Sequence, residues 1–97
     1  MPTYIALCNF TEQGIRNVKD TTKRADAVRE AAKQRGVDMT QIFWTMGSYD
    51  LVTIIEAPDD ATATAFSLAV GAAGNIRTQT MRAYSKEEMN GILAKMG

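Results

Sequence analysis

Two short runs in this chain are apolar on both of their alternating faces, and this limits the folds open to it more than any other feature. Thr3–Phe10 reads as a strand with Tyr4, Ala6, Cys8 and Phe10 on one face and Ile5 and Leu7 on the other. Tyr49–Glu56 repeats the pattern, with Leu51, Thr53 and Ile55 opposite Val52 and Ile54. A strand with two apolar faces needs cover on both sides, so both runs are predicted to be central in a sheet.

Other segments supply the remaining elements. Thr11 opens a charged stretch with one short helical turn, and Asp20 or Thr21 caps a longer helix to about Arg35, its apolar stripe being Ala25, Val28 and Ala32. Met39–Met46 reads as a strand. Gly47-Ser48 suits the centre of a two-residue hairpin, because Gly supplies the positive φ that a type II′ turn requires first. Asp59 is the expected N-cap of a helix with Phe66, Ala69, Val70 and Ala73 on one side. Asn75–Tyr84 is a strand of mixed polarity, suited to an edge. Ser85-Lys86-Glu87-Glu88 forms a capping-box pattern before a last helix carrying Met89, Ile92, Leu93 and Met96.

The resulting order, βαββαβ plus a C-terminal helix, predicts an α+β, ferredoxin-like fold with an antiparallel four-stranded sheet, built as a single domain over residues 1–97. Two helices cover only one face of such a sheet. The other face requires a partner surface, and a second copy is the simplest cover.

Composition narrows the functional classes. Eleven basic and eleven acidic residues give zero formal net charge, which removes the usual electrostatic drive toward nucleic acid or an anionic membrane. The charge is uneven: Glu12–Arg35 holds seven basic against four acidic residues, an imbalance that either marks solvated helix faces with no further task or steers docking between subunits. The single cysteine, Cys8, rules out an intrachain disulfide and a CxxC metal cluster. Histidine is absent, so general acid–base chemistry would fall to carboxylate, tyrosine, lysine, arginine or that thiol. Neither metal nor cofactor is expected. No leader-like or membrane-spanning run is visible, and the expected location is the cytoplasm.

Pro2-Thr3-Tyr4-Ile5, Asn9-Phe10-Thr11, Gly14-Ile15-Arg16-Asn17-Val18-Lys19-Asp20, Trp44-Thr45-Met46-Gly47-Ser48-Tyr49-Asp50 and Asn75-Ile76-Arg77-Thr78 together resemble the GYD domain family. Ser48 separates Gly47 from Tyr49, so the likeness rests on the ordered set of motifs and not on a strict Gly-Tyr-Asp tripeptide. The resemblance implies a dimeric α+β barrel in which two four-stranded sheets pack face to face. The Gly-x-Tyr-Asp hairpin is also similar to that of the effector-binding domain of Lrp/AsnC regulators. The helix-turn-helix segment of those regulators is not present here.

Candidate site residues follow from chemistry at strand ends. Asp50 is a base, a ligand anchor or an acceptor for backbone N–H groups, and Tyr49 a hydrogen-bonding wall. Trp44 lines a pocket or packs in a core or interface. Asn9 is a polar residue on the otherwise apolar Ile5/Leu7 face. Arg16 and Lys19 project from one side of a helical turn, where they clamp an anion or remain solvated. Arg77 shares a face with Gln79 and Met81, whereas Thr78, Thr80 and Arg82 share the other. The expected function is a homo-oligomeric small-molecule-binding or sensing module bordered by Asn9, Arg16, Lys19, Trp44, Tyr49, Asp50 and Arg77. The alternatives are a structural or regulatory assembly protein without a ligand, and a cofactor-free enzyme of isomerase or monooxygenase-like type.

Overall fold

A computed structural model describes all residues, 1–97. The elements are β1 (Thr3–Phe10), α1 (Glu12–Arg16), a 3₁₀ turn (Val18–Asp20), α2 (Thr21–Gln34), β2 (Asp38–Trp44), β3 (Leu51–Glu56), α3 (Asp60–Ala72), β4 (Ile76–Ala83) and α4 (Lys86–Ala94). The strands form one antiparallel sheet in the order β2-β3-β1-β4. The α+β class and the four antiparallel strands agree with the sequence reading, and β1 and β3 are the inner strands.

Two parts of the expected fold are corrected. The element order is β-α-α-β-β-α-β-α, not the plain ferredoxin-like βαββαβ unit, because α1 and the 3₁₀ turn are built into the first crossover. Thr11 caps α1 by accepting from Gly14 N–H. The Thr11 amide and hydroxyl donate to Asn75 O (3.0 Å) and Gly74 O (2.5 Å), fixing α1 to the turn before β4. Gly14 lies so close to that turn that a Cβ would fall 1.9 Å from Asn75 O. The second correction concerns closure. The sheet is open, with β2 and β4 as its two edges, and it is not a barrel. Four strands are too few to close on themselves, since about eight are needed to enclose a filled interior. The barrel implied by the family resemblance is therefore absent, and the homo-oligomer and enclosed ligand expected with it lose that support.

The hairpin also differs from expectation. β2 ends at Trp44 and β3 begins at Leu51, so the connection is longer than two residues. Thr45 N–H donates to Asp50 O (2.8 Å) and the Thr45 hydroxyl to Tyr49 O (2.6 Å), closing a loop in which Gly47 takes the positive φ of 113°.

Tyr4, Ala6, Cys8, Leu51, Thr53 and Ile55 point from the inner strands toward the helices and are buried. With Met39, Val37, Ala32, Ala57, Ala63 and Phe66 they form the core. α2 packs on edge strand β2 and α3 on edge strand β4, and the inner strands lie between them. On the opposite face Ile5, Leu7, Val52 and Ile54 are only half-buried, and Phe43 and Met81 beside them are 53% and 40% exposed. No helix packs over this face. α4 has a complete capping box at Ser85/Glu88, yet none of its residues is buried. The Cα radius of gyration, 14.6 Å, exceeds the roughly 12.5 Å of a compact chain of this length.

Candidate functional site

The open sheet face is organised as an apolar centre with polar ends. Antiparallel register places Ile5 against both Ile54 and Met81, and Leu7 against both Val52 and Gln79. Phe43 lies beside Val52 and extends the row across β2. Alternation along each strand sends these side chains to one side because their neighbours are held in the helix-side core. At the Phe10 end of the sheet, Asn9 pairs with Arg77, and the Tyr49 hydroxyl donates to Gln79 Oε1 at 3.2 Å. Asn9, Tyr49 and Arg77 thus meet at one end of the apolar row.

The other sequence candidates lie elsewhere around that end. Asp50 is an anchor within the sheet: its Oδ2 accepts from Phe10 N–H (2.9 Å) and its own N–H donates to Cys8 O (2.8 Å). These bonds continue the β1–β3 ladder past Leu51, which is what a carboxylate directly after a turn can do for an otherwise unpaired amide. Trp44 stands on the helix side, its Nε1–H donating to the Thr21 hydroxyl at the start of α2 (3.0 Å). Arg16 pairs with Glu12 across one exposed turn of α1 (3.2 Å), and Lys19 is exposed on the 3₁₀ turn. The seven candidates therefore share one end of the sheet but not one cleft.

Two features escaped the sequence reading. At the opposite end of β1 and β4, the Tyr4 hydroxyl donates to Asp60 Oδ1 (2.5 Å), and that bond, with burial and the Asp60 charge, pushes the Tyr4 pKa up to about 12. Arg82 lies over the Tyr84 ring (4.6 Å) and the Tyr4 ring (5.7 Å) and pairs with Glu88 (3.2 Å). Glu88 is held below the usual carboxylate range by the Ser85 N–H first and Arg82 second. The second feature is a cavity of about 100 Å³ on the helix side, floored by Ala6, Cys8 and Thr53. The only advance signal of it was the run of small residues at inward positions of two inner strands. Burial pushes the Cys8 thiol up to about 11, so it stays protonated near neutral pH. No three carboxylate, thiol or imidazole groups converge in a way that could hold a metal ion. No helix is long and apolar enough to cross a membrane.

The chain is 31% identical over 84 residues to the glutamine synthetase and cystathionine beta-lyase binding protein of Thermus thermophilus, an alignment covering 86% of this chain and 88% of that protein. In three dimensions it is similar to the crystal structure of TTHA0845, also from Thermus thermophilus. That match has a TM-score of 0.58 and 20% identity, covers 88% of this chain and 95% of the other, and is a likeness of fold alone. The GYD domain model matches residues 4–93, and the chain belongs to the GYD domain family.

Proposed function

We propose that this chain is a protein-docking module that binds a metabolic enzyme, of the glutamine synthetase or cystathionine beta-lyase kind, through the uncovered face of its sheet. The carrying observation is the apolar row Ile5, Leu7, Val52, Ile54, Phe43 and Met81, which no element of the chain covers. Isolated exposed apolar residues are ordinary on a protein surface, whereas a contiguous row bounded by polar groups is the anatomy of an interface. In this reading Asn9, Tyr49 and Arg77 form the polar rim, and Asp50 holds the strand ends that present them. The name of the Thermus thermophilus relative supplies the class of partner.

The test is a calorimetric titration of purified glutamine synthetase and cystathionine beta-lyase from the same organism with this protein. Binding to at least one enzyme is expected, weakened about tenfold or more by Phe43→Glu, which puts a charge on the most exposed side chain of the row, at its β2 edge. Binding to neither, or equal binding by the variant, contradicts the proposal.

A second reading, a homo-oligomeric module that senses a small molecule, draws on the same face. A second copy would present an identical apolar row, and two-fold pairing is the commonest route to a homo-oligomer. Native mass spectrometry separates the two readings. A monomer that gains mass only with the enzyme supports the first, and a dimer in the absence of any other protein supports the second.

A further inference from the structure

The cavity on the helix side lies on the face opposite the proposed docking surface. The middle of its floor is made of small side chains, Ala6 and Cys8 on β1 and Thr53 on β3, with the bulkier Phe10, Leu51 and Ile55 around them. α2 and α3 pack chiefly on the two edge strands and leave a space between them above these small residues. Val28 and Val70 wall it from the two helices, and Phe66 from beneath α3. The volume, about 100 Å³, corresponds to the liquid share of roughly three water molecules. A cavity walled in this way offers water few hydrogen bonds and favours an apolar occupant. It is smaller than the roughly 150 Å³ that accommodates the six carbons of benzene, which points to an aliphatic group of about three or four carbons.

Besides the hydroxyls of Thr53, Ser67 and Thr78, polar groups gather at one border of the cavity. Thr21, Arg24 and Asn75 line the cavity at the end where β1 leaves the sheet. Arg24 is half-buried, and its guanidinium donates to two backbone carbonyls, Asn17 O (2.6 Å) and Gly14 O (3.2 Å). No carboxylate neutralises it, since the chain's ion pairs are Arg16–Glu12 and Arg82–Glu88. Five N–H donors in a planar fork leave Arg24 with spare capacity for a carboxylate, and such charge-assisted bonds are among the strong ones. Trp44 fixes the neighbouring Thr21 hydroxyl by donating to it. The protonated Cys8 thiol places no negative charge inside to oppose an anion.

We infer that this cavity binds a small aliphatic carboxylic acid of about four or five carbons, its branched or short chain lying over Ala6, Cys8 and Thr53 and its carboxylate held by Arg24 at the border. The site is independent of the docking face, so one can fail while the other stands.

The test uses 3-methylbutanoate as the acid and 3-methylbutanamide as its uncharged counterpart. Isothermal titration with the wild-type chain is expected to show saturable binding of the acid at least tenfold tighter than that of the amide. Arg24→Gln is expected to remove that preference. In a ¹³C-filtered NOE spectrum of the wild type, the ligand methyls should contact the Ala6 methyl, a readout that needs no variant to fold. No saturable binding of the acid, equal binding of acid and amide, or NOEs only to surface residues overturns the inference.

Discussion

The two faces of this sheet are built from the same two strands, yet they have different fates. Ile55 and Ile54 are neighbours in β3: the first is 2% exposed among the core side chains, and the second is half-buried on a face that nothing covers. Tyr4 and Ile5 divide in the same way on β1. Apolar content alone therefore does not decide burial in this chain. The crossover helices do, and both lie on one side. The covered face holds the fold together and carries a partly open cavity, whereas the open face carries apolar area that contributes to stability only when another surface meets it.

The largest expected effect separates the faces directly. Ile55→Ala should destabilise the chain by about 2–5 kcal/mol, because buried methyl groups and their packing are lost. Ile54→Ala should cost only about 1 kcal/mol in the isolated chain, since much of its side chain already meets water. Urea unfolding of both variants measures the contrast, and equal losses would break it. Gly14→Ala comes next. The added methyl would meet the Asn75 carbonyl, and overpacking of this kind costs about 1–3 kcal/mol. It acts on the α1 side of the molecule, so binding through Phe43 should persist in whatever fraction remains folded. Thermal unfolding and enzyme titration on the same sample check this.

The smallest effect concerns α4. Glu88 has its pKa lowered in the folded chain, so its contribution is fully present above the ordinary glutamate pKa of about 4.3 and is lost as pH falls through the lower folded value. Acidification below that range, or Ser85→Ala at neutral pH, should fray α4 while leaving the sheet intact. Amide hydrogen exchange resolved by residue would show this as faster exchange confined to Lys86–Ala94.

The legible parts of the fold were those with local causes. Asp59 accepts from Thr62 N–H (2.8 Å), and Ser85 and Glu88 complete their reciprocal box, as spacing alone indicated. The two inner strands were legible because alternation is a property of each strand by itself. The open end of the sheet was not, because nothing local in Gly47-Ser48 specifies that Thr45 and Asp50 will close the loop instead. The barrel was wrongly expected from the family resemblance, and the residues themselves do not specify it: apolar residues on a second face require cover, but they do not state what supplies it. Among the candidate residues, Asn9, Tyr49 and Arg77 gather because β-register brings them together. Trp44 turns to the other side because its position in β2 shares the face of Met39 and Ile42. Small inward residues hinted at slack in the core, but the cavity itself is a space between helices, set by where α2 and α3 rest and not by any motif.

The most direct test of the two-face account is a methyl NMR titration of isotope-labelled chain with unlabelled glutamine synthetase or cystathionine beta-lyase, using Ile54 and Ile55 as adjacent reporters on opposite faces. We expect the methyl signals of Ile5, Leu7, Val52 and Ile54 to shift or broaden on adding the enzyme that binds, and those of Ile55 and Val37 to stay in place. Changes centred on Ile55 and Val37, or no change with either enzyme, would contradict the claim that the uncovered face is where this protein meets its partner.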